Sequence, residues 1–158
     1  MAMRRILAGT VALAMVGSFQ TAAAAGNSWN KIRYSGGTVV AKVNPYDWNT
    51  TLTVSPGAIV LVFGGRVTER IKPEQVTALS YGREAHRRVA DMVALSFIVT
   101  PLALFGILHQ SKVHFIAIEY HMGDGKPAGL LLEADKGNYR AILDALKVVT
   151  GKPVANEP

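Results

Sequence analysis

The chain has 158 residues, which suits one domain on the usual scale of about 100–200 residues. It has no cysteine, which excludes disulfides, thiolate metal centres, a cysteine nucleophile and a lipid-bearing cysteine anchor. Its formal charge of +6 and pI near 9.8 suit attraction to anionic surfaces but fall short of the dense basic patch of a nucleic-acid binder, so no nucleic-acid partner is expected.

Residues 1–25 read as a secretory signal peptide. Arg4 and Arg5 form the basic start, Ile6 to Val16 the apolar stretch, and Ala22 to Ala25 offer small-x-small cleavage patterns. The apolar stretch is shorter than the roughly 20 residues a membrane span needs, which favours cleavage over a retained anchor. The chain is therefore expected to be exported, to the periplasm or cell envelope.

Residues 26–37 are polar around Trp29 and Tyr34 and read as an entry segment. Thr38 to Val43 is β-branched and reads as a strand, and Asn44-Pro45-Tyr46-Asp47 as a turn. Asn49 to Val54 alternates Leu52 and Val54 with threonines, as a half-buried strand does. Ser55-Pro56-Gly57 turns the chain into Ala58 to Phe63, a short and wholly apolar strand. Gly64-Gly65 is a two-residue hairpin turn, and Arg66 to Ile71 its return strand. There Glu69 shares a face with Val67 and Ile71, a placement expected at a sheet edge. Lys72-Pro73 breaks the ladder before Gln75 to Tyr81. Val113 to Tyr120 and Ala128 to Glu133 form a later hairpin around Gly123-Asp124-Gly125.

The closing element is a helix. Tyr139, Ile142, Leu143, Leu146 and Val149 make one apolar stripe, with Asp135 as expected N-cap, Gly151 just past the end and Pro153 beyond. Residues 152–158 read as a flexible tail.

About seven short strands followed by one amphipathic helix resembles the order of a pleckstrin-homology (PH) or GRAM-like domain, bacterial versions in particular. The likeness lies in Leu52 to Ser55 before Ala58 to Leu61, in Arg70 to Leu79 as a turn into a new strand, and in Phe115 to Tyr120, Gly129 to Leu132 and the helix from Asn138 to Val149. The resemblance implies a mainly β fold (β+α): a PH-like sandwich or partly open barrel with a C-terminal capping helix, over residues 38–151. It implies a binding role. The family's basic phosphoinositide motif is missing, since only Lys42 lies in the early strand loop, beside Asn44 and Pro45, so that ligand class does not carry over. No small-molecule ligand is named by the sequence.

An apolar insertion, residues 86–110, interrupts the strands. Its core, VADMVALSFIVTPLALFGIL from Val89 to Leu108, has the length of a transmembrane helix. The strands on either side must share one sheet, so a single crossing would divide the domain. A helical hairpin turning at Thr100-Pro101 satisfies both demands. Its apolar residues are Val93, Leu95, Phe97, Ile98, Val99, Pro101, Leu102, Leu104, Phe105, Ile107 and Leu108. A basic collar of Arg83, His86, Arg87, Arg88, His109 and Lys112 flanks it. The hairpin either dips into one leaflet or packs on protein, another copy of the chain included.

Signals of catalysis are sparse. The spacings of His109, His114 and His121 place them on no single face, so no metal site is expected, nor any cofactor. His121, Asp124, Lys126 and Glu133 are locally dense but divided between loop and strand, the only support for a small exported enzyme. Trp29, Tyr46 and Trp48 suit edge packing, membrane-interface contact or carbohydrate contact. The leading expectation is a non-enzymatic, membrane-associated binding or scaffold module of the envelope. The alternatives are a homo-oligomerising exported protein and a small enzyme.

Overall fold

In the computed structural model, which describes residues 26–44, 46–96 and 113–158, the chain is mainly β, with one open, mixed sheet of eight strands and two helices. The elements are β1 (Asn27–Gly37), β2 (Thr50–Ser55), β3 (Ala58–Phe63), β4 (Val67–Ile71), β5 (Val76–Tyr81), α1 (Gly82–Ser96), β6 (His114–His121), β7 (Pro127–Ala134), α2 (Tyr139–Thr150) and β8 (Val154–Ala155). Their order across the sheet is β4-β3-β2-β1-β7-β6-β5-β8, antiparallel except for the β5–β8 pair.

The first three hairpin strands form where their patterns and turns dictate. Leu52 and Val54 are buried and alternate with half-exposed threonines. Ser55 Oγ closes the first turn by accepting from the Ala58 amide at 3.2 Å. The β3–β4 turn is one residue longer than expected: Phe63 pairs with Val67, so Arg66 belongs to the turn and not to the return strand, and Gly64 and Gly65 take the left-handed conformation there, at φ of 56° and 69°. Glu69 pairs with Leu61, and β4 is an edge strand of the sheet, as the position of that carboxylate anticipates.

The sheet curls on itself. β4 and β6 lie five places apart, a separation of about 24 Å in a flat sheet at about 4.8 Å per strand. Yet Tyr120 on β6 donates a hydrogen bond to Glu69 Oε1 on β4 at 2.9 Å. The bend falls in β1, whose first half pairs with β2 and whose second half, from Ile32, pairs with β7, with an irregularity in each ladder. Inside the curl lies one core that includes Ile32, Leu52, Leu61, Ile118, Leu130 and the α2 residues Ile142, Leu143 and Leu146. Burial raises the pKa of Tyr34 and Tyr120 in that core, and their hydroxyls are held by the Val39 carbonyl and Glu69.

Four further expectations change. Residues 26–37 are not an entry segment: nearly all of them form β1, at the centre of the sheet. Thr38 to Val43 is not a strand, because Gly36 and Gly37, at φ of 141° and 147°, turn the chain off the sheet. Asp135 does not cap α2. The helix begins at Tyr139, and Asp135 closes the preceding turn through its carboxylate to the Gly137 amide and its carbonyl to the Asn138 amide. The 152–158 tail is not loose throughout. Gly151, in the left-handed conformation, reverses the chain so that Val154 pairs with Leu79 on the edge of β5, and Glu157 pairs with Lys147.

Candidate functional site

The insertion leaves from β5 and returns through β6, and these strands are antiparallel neighbours with Tyr81 opposite Ile116. Departure and return therefore lie at one end of one sheet. The segment begins as α1, helical from Gly82. Ala85, Val89 and Val93, spaced at four residues, are buried against Phe115, Ala117 and Leu131 on the outer face of the sheet. Gly129 on β7 makes room for this helix, since a Cβ there would lie 2.8 Å from Met92 Sδ. Val93 thus packs on protein. The side chain of Leu95 and residues Phe97, Ile98, Val99, Pro101, Leu102, Leu104, Phe105, Ile107, Leu108, His109 and Lys112 lie outside the described residues, and with them the expected hairpin turn. Among the described residues no helix is long and apolar enough to cross a membrane.

The four collar residues on α1 are not alike. Arg83 is exposed. Arg87 bonds Glu84 at 2.6 Å and approaches Asp91 at 3.6 Å, while Arg88 bonds Glu84 at 2.7 Å and reaches Glu119 at 3.3 Å. Hydrogen bonds from Arg87 and then Arg88 hold the Glu84 carboxyl below the usual carboxylate range. His86 is buried, its ring tilted against Phe115 at 6.0 Å, and burial lowers its pKa. Glu84, with Asp91 and Glu119, therefore offsets the charge of Arg87 and Arg88 and leaves Arg83 as the exposed cation of α1 outside these pairs.

A second surface lies at the end of the sheet where α1 finishes. Thr38 donates its amide to the Gly129 carbonyl at 2.9 Å and accepts from the Gly129 amide at 3.1 Å, so loop 38–49 starts beside the residue that receives Met92. The loop is pinned at its far end. The Asn49 side chain accepts from the Tyr34 amide and donates to the Asn44 carbonyl, both at 2.7 Å. Pinning leaves apolar side chains in solvent: Val40 is 67% and Tyr46 66% exposed, with Trp48 and Val67 also exposed. The Trp48 ring is held under the Arg33 guanidinium at 4.2 Å, itself bonded to Glu133 at 2.7 Å. Between the loop and the β3–β4 hairpin runs a groove of about 610 Å³ whose lining includes Val40, Lys42, Phe63, Arg66 and Val67. Lys42 and Arg66 make no ion pair among the described residues. Tyr46 and Trp48 stand out in the sequence; Trp29 packs on the core instead. Arg66 does not stand out, because its closeness to Lys42 comes from the hairpin folding against a loop more than twenty residues away.

The polar groups that are dense in sequence around the β6–β7 loop are engaged separately. Lys126 pairs with Asp124 at 3.0 Å and Glu133 with Arg33, while His121 is exposed at the end of β6. Hydrogen bonds from Lys126 lower the pKa of Asp124. Among the described residues no group of three or more His, Asp or Glu could hold a metal ion.

No protein-family model matches the chain, and no curated protein matches it. Among solved structures it is similar to a chain of the "Structure of the Spt16D Pob3N heterodimer", with a TM-score of 0.47 and 10% identity over 85% of this chain. It spans 55% of the length of that chain.

Proposed function

We propose that the chain is an exported, non-enzymatic module with a PH-like sandwich that attaches peripherally to an anionic membrane surface of the cell envelope. One observation carries this reading. Gly129 receives both Met92 of α1 and Thr38, so α1 lies beside the start of the exposed loop that carries Val40, Lys42, Tyr46 and Trp48, and this loop shares a groove with Arg66. Aromatic side chains with apolar bodies and polar tips suit the headgroup level, and basic side chains suit an anionic leaflet. Because α1 already spends its apolar stripe on the sheet, lipid contact by the insertion falls to residues 97–108. The β5–β6 pairing supports a dip and return over a crossing.

Flotation of the mature chain with phosphatidylglycerol vesicles tests this. Replacing residues 97–108 by a short Gly-Ser linker is expected to abolish flotation; undiminished flotation would remove the apolar run from the proposal. The pair Lys42→Gln and Arg66→Gln is expected to weaken binding by about 2 kcal/mol, roughly 30-fold, at about 1 kcal/mol per charge near an anionic surface. This loss should shrink as salt is raised. If the chain instead sediments as a discrete oligomer and ignores vesicles, the apolar run serves a protein interface between copies.

A further inference from the structure

Three aromatic rings from three elements meet where the insertion joins the sheet. The His114 ring, at the start of β6, lies face to face on Tyr139 of α2, with centroids 3.9 Å apart and planes 4° from parallel. Tyr81, the last residue of β5, places its hydroxyl 2.6 Å from His114 Nδ1 and its ring 5.6 Å from that of Tyr139. Arg140 Nε donates to the Tyr139 hydroxyl at 2.8 Å. Tyr139 is buried, and His114 and Tyr81 are half-buried.

We propose that this ladder is a proton-sensitive clasp: with neutral His114 it fastens the first turn of α2 to the β5–β6 neck, and protonation of His114 loosens it. The phenol of Tyr81 donates to Nδ1 only while that nitrogen is bare, which puts the ring proton on Nε2. An imidazolium carries hydrogen on both nitrogens, so the Tyr81 hydrogen bond must reverse and its own proton turn away. Among the described residues, the groups around His114 are Tyr81 from β5, Tyr139 and Arg140 from α2, Lys136 and Asp135 from the turn before α2, and Glu133 from β7. Burial first, then Lys136, lower the His114 pKa, with Arg140 adding to them, while Asp135 and Glu133 act the other way. A folded pKa below the unfolded value means that the unfolded state takes up the proton more readily. The clasp's contribution is thus present above the ordinary histidine value of 6.5 and is lost as pH falls through the folded value.

The experiment follows His114 by NMR titration and the amides of the first turn of α2 by hydrogen exchange, corrected for intrinsic rates, between about pH 7.5 and about pH 5. His114 is expected to titrate below 6.5. The first-turn amides are expected to open about fivefold more at the acid end, and His114→Gln to remove most of that difference. Tyr81→Phe keeps the rings and removes the donor, and is expected to raise the His114 midpoint by about half a unit, which covers the case in which His114→Gln does not fold. A midpoint at or above 6.5, equal acid opening in His114→Gln, or no movement in Tyr81→Phe would each overturn the proposal.

Discussion

Replacing Gly37 with alanine is expected to cost about 2–4 kcal/mol, read as a lower urea midpoint at unchanged m-value. Two penalties combine. Gly37 sits at φ +147°, which L side chains rarely adopt, and an added Cβ would lie 2.2 Å from the Gly129 carbonyl oxygen and 3.0 Å from Leu130 Cα. Both obstacles are backbone, so no rotamer change relieves them. The chain can move apart only by breaking the Gly37–Leu130 pairing and the Thr38 hydrogen bond to Gly129. Gly123→Ala is the control: nothing lies within 4 Å of its Cβ position, and its effect is expected to stay within about 0.5 kcal/mol. A Gly37→Ala protein as stable as the parent would mean that the β1–β7 junction is not built as described.

The second large effect is expected at Leu146. Truncation to alanine removes a fully buried side chain from the α2 stripe and should cost about 2–5 kcal/mol by chemical denaturation. The loss combines lost transfer energy with the cavity left inside the curled sheet. Val148, two positions on, is 82% exposed, and Val148→Ala should change stability by no more than about 0.5 kcal/mol. Equal effects at the two sites would mean that α2 presents a different face.

These two sites differ in how far the sequence discloses them. The α2 stripe is local information: five apolar residues at helical spacing, ended by Gly151. The β2–β3–β4 meander is nearly as local: alternation at Leu52 and Val54 and the turn at Ser55-Pro56-Gly57 set the β2–β3 register, while the glycine pair marks the β3–β4 turn but not its third residue, Arg66. β1 is not. Its residues are largely polar, with Ile32 and Tyr34 its main inward side chains, and its strand character comes from ladders on both sides that no local window contains. Thr38 to Val43 shows the reverse: strong β propensity without a neighbour to pair with. Val154 becomes a strand because β5 leaves an edge open, again a tertiary fact.

At the candidate site the same division holds. The apolar run and the exposed Tyr46 and Trp48 are visible in the sequence. The helical period Ala85, Val89, Val93 is masked by hydropathy that reads the whole insertion as one apolar block. That period is what commits the first part of the segment to the sheet. The neutralising role of Glu84 depends on helical spacing that places it one turn from Arg87 and Arg88. The meeting of Tyr81, His114 and Tyr139 spans nearly sixty residues and no motif announces it.

The position of β1 also sets an order for folding. Ile32 pairs with Ala134, so the strand nearest the N-terminus cannot complete its ladder until about a hundred residues more have been made. The β2–β3–β4 meander can close early through short turns, but the curl and its core wait for β7. Closing so long a loop costs entropy that only the final contacts return. A chain that emerges N-terminus first therefore carries β1 without its β7 partner until residues 127–134 have followed, with only the meander closed beside it.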